Sequence, residues 1–139
     1  MRKFLIATHG TFSSGIKSSL DIIIGQMDNV FIIDAYVDGN KSIEEGLTAI
    51  LKNVHAHDEL VAFSDLLGGS ITNQILQYAL KENVHVVSGI NLPLLIDVML
   101  ADADTPIADV IENAITNAKD QIVYVNKLIN SNKEENQND

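Results

Sequence analysis

The chain has 139 residues, of which 46% are apolar, and it carries a formal net charge of −10. That size and apolar content suit one globular domain with a sizeable core, and the charge disfavours nucleic acid and anionic membranes as partners, since polyanions are repelled at long range. The chain has no cysteine, which excludes a disulfide framework, a thiol nucleophile and cysteine-ligated zinc.

Taken in order, Lys3 to Ala7 reads as a first strand, and it delivers His9 to the small polar stretch Thr8–Gly15. The two basic residues at the start are not followed by a signal-peptide core and cleavage site, so an intact N-terminus and a cytoplasmic location are expected. Ser13 to Ile24 is predicted helical, with Ile16, Leu20, Ile23 and Ile24 on one stripe. Val30 to Ile33 is a strand rich in β-branched residues. Ser42-Ile43-Glu44-Glu45 fits a capping box with Ser42 as N-cap, and its helix runs to about Asn53 with Ile43, Leu47, Ile50 and Leu51 inward. Leu60 to Phe63 is the third strand. Ser70 caps a helix whose inward stripe is Ile71, Ile75, Tyr78 and Ala79, and Val84 to Val87 is the fourth strand. Asn91 caps a helix beginning near Pro93, a residue suited to a first helical turn. Thr105-Pro106 starts another helix, to roughly Lys119. Gln121 to Val125 fits a fifth strand by its β-branched and aromatic content, and fits a continued helix equally, because Ile122, Val125 and Ile129 share a helical face. Residues 130–139 are polar with no apolar periodicity and are expected to be a disordered tail, leaving 1–129 as a single domain. No apolar run approaches the ~18 residues of a membrane span.

Four βα units in succession imply an α/β fold: an open, mainly parallel sheet with helices on both faces. Ligands in such sheets sit beyond the carboxyl ends of the strands, where the strand order reverses. With the order 2-1-3-4, the first and third strands are neighbours at that point, and His9 faces Asp65. A carboxylate beside an imidazole accepts from one ring nitrogen and leaves the other nitrogen's lone pair free, which readies it as a nucleophile. Gly10 follows His9 ahead of one helix, and Gly68, Gly69 and Ser70 lead into another. Glycines admit close backbone approach, and helix starts bind anions without basic side chains, so these four residues are the phosphate-binding candidates.

Each feature alone has a plainer reading. A histidine after a strand is commonly a loop or packing residue, Gly-Gly before a helix is often only a tight turn, and Asp65 fits a turn cap. Their convergence in two adjoining loops is what gives them force. His55, His57 and Asp58 resemble part of a metal motif but precede the third strand, at the opposite end of the sheet, and read as a solvated loop; no metal or cofactor is expected. His85 reads as structural, and Asp34 and Asp38 as solvated. Leu66 and Leu67 are either buried or an apolar rim for a docking partner. No G-x-S-x-G elbow, Walker A loop or G-x-G-x-x-G is present.

At Ala7-Thr8-His9-Gly10, Ser64-Asp65-Leu66-Leu67-Gly68-Gly69-Ser70 and Ser88-Gly89-Ile90-Asn91-Leu92-Pro93 the sequence resembles the IIA domain of the mannose family of the bacterial sugar phosphotransferase system. The likeness covers residues 2 to about 128. It implies that His9 is phosphorylated at Nε2, that Asp65 holds Nδ1–H, that the phosphocarrier protein HPr is the donor and that a IIB domain is the acceptor, working with membrane IIC and IID partners. It also implies a fifth, antiparallel strand exchanged in a homodimer. Leu67 and Ile71 stand where some members have an aromatic residue and a proline, which alters the apolar rim. A IIB domain is expected on a separate polypeptide. Competing readings are the phosphotransfer subunit of a dihydroxyacetone kinase, which uses a similar histidine, and a non-catalytic regulatory binding module. A receiver domain phosphorylated on Asp65 fits less well, because no acidic pair ends the first strand to hold magnesium.

Overall fold

The β-branched runs and amphipathic stripes fold in strict alternation through the first four strands of the computed structural model, which describes residues 1–39 and 41–137. The elements are β1 Arg2–His9, α1 Phe12–Ile24, β2 Val30–Ala35, α2 Glu44–Leu51, β3 Glu59–Ser64, α3 Ser70–Ala79, β4 Val84–Ser88, α4 Leu92–Met99, α5 Ile107–Asp120 and α6 Val125–Gln137. The four strands form one parallel sheet in the order β2-β1-β3-β4, as the sequence implies. Successive residues of β1 and β3 bury opposite faces. Phe4, Ile6, Val61 and Phe63 pack with residues of α1, α4 and α5, while Leu5, Ala7, Leu60 and Ala62 pack with residues of α2 and α3. Burial on both faces is what a parallel sheet needs.

Register sets the functional end. Ala7 pairs with Ser64, and His9 pairs with Ala35. His9 is therefore the last residue of β1, and Asp65 lies one step beyond β3.

Several local expectations are corrected. α2 begins at Glu44 with Ile43 as its N-cap. The Ser42 hydroxyl accepts the Glu44 N–H at 3.1 Å and donates to Gln74 Oε1 at 2.8 Å, so a residue of α3 takes the place of the reciprocal Glu45 contact. On α1 the inward row is Ile16, Leu20 and Ile24, spaced by four, and Ile23 is 53% exposed. On α3 Tyr78 is half-exposed, and Thr72 is buried with Ile71, Ile75 and Ala79. Asn91 does cap α4, accepting the Leu94 N–H at 3.0 Å. After α5 the chain turns at Gln121, and Ile122–Tyr124 adopt no regular structure. In the single chain they join no strand of the described sheet and do not continue α5, and Val125 opens a new helix. That helix, α6, covers 130–137, where a disordered tail is expected from composition. No described helix is long and apolar enough to cross a membrane.

Candidate functional site

His9 and Asp65 meet as the topology requires. Asp65 Oδ2 lies 2.8 Å from His9 Nδ1 and accepts the His9 backbone N–H at 3.0 Å. One carboxylate oxygen thus anchors both the ring and the strand end that carries it. Burial pushes the Asp65 carboxyl up, but the backbone N–H and ring N–H of His9 outweigh it and hold the group below its ordinary value. An ionised carboxylate can only accept. Nδ1 therefore carries the proton, and the lone pair sits on Nε2. The other Asp65 oxygen, Oδ1, is buried with no hydrogen-bond partner among the described residues. The His9 side chain is 40% exposed, so its ring is open to an incoming group.

The loop from β3 to α3 wraps this pair. Gly68 has φ +73°, the left-handed region that glycine adopts freely. A Cβ on Gly69 would stand 3.3 Å from the Leu66 carbonyl and 3.8 Å from His9 Cε1, so glycine lets the backbone pass close to the ring. Ser70 opens α3 rather than capping it, with Gly69 as N-cap, and its Oγ lies 3.5 Å from His9 Nε2. Not every candidate donor is free. The Gly10 N–H donates to the Ala35 carbonyl at 2.8 Å, and the Gly69 N–H donates to that of Leu66 at 3.2 Å.

The start of α1 is likewise occupied. The Ser13 N–H donates to Thr8 Oγ1 at 2.8 Å, and the Ser14 N–H donates to Asp34 Oδ1 at 3.1 Å. Asp34, expected to be solvated, is thus a helix-start acceptor. The start of α3 instead brings a side chain to the ring, with Ser70 Oγ beside Nε2.

Tyr36 belongs to the site and is not flagged by the sequence. Its ring centroid lies 5.4 Å from that of His9 at a 46° tilt, and its hydroxyl is 2.7 Å from Ser70 Oγ. The available signal was its place in the loop after β2, at the correct end of the sheet. Leu66 and Leu67 are exposed, at 58% and 86%, so they form a rim. At the other end of the sheet, Asp58 is no solvated loop residue: it accepts the His55 N–H and pairs with Lys3 and the N-terminal amine, which together hold its carboxyl far below the usual range. His85 pairs with Glu59 at 2.7 Å, a link between β4 and β3. Among the described residues no three His, Asp or Glu side chains gather as a metal would need. A surface depression lined in part by Leu51, His55, Glu59, Lys81 and Asn83 lies at the amino ends of the strands, away from His9.

Residues 3–115 match the family model EIIA-man, described as the PTS system fructose IIA component. The chain belongs to this phosphotransferase IIA family. The fructose-specific EIIA component of Bacillus subtilis is 24% identical over 115 residues, 81% of this chain and 79% of that protein. The mannose-specific EIIAB component of Escherichia coli K12 is 28% identical over 108 residues, and there the match spans 76% of this chain but 33% of the relative. Among solved structures, a sugar phosphotransferase system protein from Klebsiella pneumoniae superposes with a TM-score of 0.84 at 32% identity, over 92% of this chain and 93% of its own. The component EIIA from Streptococcus agalactiae gives 0.76 at 29% identity, over 91% and 99%. As a member of the IIA family the chain has a general role in phosphotransfer for sugar uptake, and the mannose-family resemblance read from its three loop motifs is borne out.

Proposed function

We propose that His9 is the phosphoryl acceptor, and that the chain takes the group from phospho-HPr and hands it to a IIB domain during sugar uptake. The observation that carries this is the His9 Nδ1 to Asp65 Oδ2 contact of 2.8 Å, which assigns the free lone pair to the partly exposed Nε2. In the transfer, Nε2 attacks phosphorus. The bond from phosphorus to the donor's histidine nitrogen breaks, and that nitrogen keeps the electron pair. The Nδ1 proton stays in place, and Asp65 balances the positive charge that grows on the ring. Delivery to IIB repeats the exchange, with Nε2 as the leaving nitrogen.

Ser70 and the first N–H groups of α3 receive the phosphoryl oxygens, as helix starts do. Gly68 and Gly69 keep the backbone close, and Gly10, at φ +60°, carries the chain from β1 into the turn before α1. The chemistry is mostly positioning and charge stabilisation, which suits a site built of backbone dipoles. The assembly we envisage is cytoplasmic, joined to membrane IIC and IID subunits through IIB. In it, Ile122 to Val125 pair with a second copy of the chain in a homodimer.

Intact mass after incubation with phosphoenolpyruvate, enzyme I and HPr tests the central step. The expected result is an acid-labile gain of one phosphoryl group in the wild type and none in His9→Ala, with the fold kept. Full labelling of His9→Ala at another residue would remove His9 from the mechanism.

A further inference from the structure

The loop between β2 and α2 holds a feature that the transfer as described does not use. Tyr36 has φ 66°, a conformation that bulky residues rarely adopt and that persists only where the surroundings impose it. What the conformation accompanies is a set of contacts on the His9 side of the sheet.

The polarity of those contacts follows from what each group can donate. The Ile43 backbone N–H can only donate, and the Gln74 side-chain atom 2.9 Å away is therefore its amide oxygen. This turns the amide nitrogen of Gln74 towards Tyr36, 3.1 Å from the phenolic oxygen. The amide nitrogen in turn can only donate, so the Tyr36 oxygen accepts. The single proton of Tyr36 has one acceptor among the described residues, Ser70 Oγ at 2.7 Å. With the Tyr36 proton on that acceptor, Ser70 keeps its own O–H free on the side of His9 Nε2, 3.5 Å away. That separation is longer than a good hydrogen bond, so the hydroxyl stands beside the ring nitrogen without being tied to it.

We propose that Tyr36 is a positioning residue for phosphoryl transfer: the chain Gln74–Tyr36–Ser70 directs the Ser70 hydroxyl proton at a phosphoryl oxygen on His9 Nε2. This rests on His9 as the phosphoryl acceptor. The relay is anchored in the backbone of Ile43, at the start of α2, and it sets the donor before the charged group arrives. A donor fixed in advance stabilises developing charge without reorganising at the moment of reaction.

Rapid-quench transfer from phospho-HPr tests the proposal in the wild type, Tyr36→Phe, Ser70→Ala and the double variant, with a thermal melt of each. Phenylalanine keeps the ring against His9 and removes only the hydroxyl. Tyr36→Phe should lower the maximal transfer rate about tenfold, the scale of one oriented donor to a charged group, and leave the half-saturating donor concentration unchanged. The double variant should be no slower than Ser70→Ala, because Tyr36 acts through Ser70. Gln74→Met, which removes the donor to Tyr36, should slow transfer in the same direction. Wild-type rates in both Tyr36→Phe and Gln74→Met, or losses that multiply in the double variant, overturn the relay and leave His9 as acceptor. A wild-type protein that takes no label overturns the carrier reading and the relay together.

Discussion

Asp65 spends one oxygen on two bonds, to the backbone N–H and the ring Nδ1 of His9, so a single substitution probes orientation and anchoring at once. In Asp65→Asn the amide can donate where the carboxylate accepted, and the imidazole can take the other tautomer with its proton on Nε2. Transfer from HPr should then fall by orders of magnitude; a comparable swap in a catalytic triad costs about 10⁴ in rate, though there the histidine is a base. If Asp65 were only a turn cap, the outcome would be about 1 kcal/mol of lost stability with near-normal rates. The pH dependence has a definite sign. The Asp65 carboxyl lies below its ordinary value of 3.8, so its contribution to stability is present above that value and is lost as pH falls through the lowered folded value. Urea unfolding of wild type and Asp65→Asn should show a gap at neutral pH that closes in acid. His9 and Asp65 were legible because each ends an apolar run, and the alternation of elements fixes which runs are neighbours. Tyr36 was not. Its contacts with Gln74 and Ser70 arise from packing of the loop after β2 against α3, and the flanking Asp34 and Asp38 look more like chemistry than a tyrosine does.

Helix ends show where local signals hold and where tertiary contacts override them. Asn91 caps α4 as its sequence context suggests, and Asn91→Ala should lower unfolding free energy by about 1 kcal/mol. This is readable as a shifted urea midpoint at unchanged slope, with phosphoryl transfer unaffected because the cap makes no contact with His9. Ser42 carries an equally good local signal, yet the side chain of Gln74 on α3 accepts from both the Ser42 hydroxyl and the Ile43 N–H. A distant residue has captured the cap, and helix propensity alone could not reveal it. Thr72 is a similar case. Its hydroxyl lies 2.7 Å from Ser64 Oγ and donates to the Leu66 carbonyl at 2.7 Å. That pair lets a polar residue join Ile71, Ile75 and Ala79 on the inward face, while Tyr78 stays half-exposed.

At the scale of the whole chain, the sheet order and the two-sided core were readable because parallel strands must be covered on both faces. The stretch after α5 was not. Gln121 to Val125 satisfies both periodicities, and only contacts with other parts of the molecule could arbitrate. In the single chain Ile122 and Tyr124 are 76% and 73% exposed. If this stretch pairs with a second copy, the full chain should sediment as a dimer, and truncation before Gln121 should lose the dimer or aggregate. A truncated protein that is soluble and well folded, with its oligomeric state unchanged, would count against exchange. The chain has nine lysines and arginines, and none is among the hydrogen-bond or ion-pair partners of His9, Asp65, Tyr36 or Ser70 in the described residues. A cationic clamp would lower the energy of a phosphohistidine and make it a sink. Under the proposed function, backbone dipoles and one hydroxyl would stabilise it far less, so a group resting on His9 would keep most of its transfer potential. Such a site would work as a way station, from which the phosphoryl group leaves as readily as it came, forward or back, according to which partner is in excess.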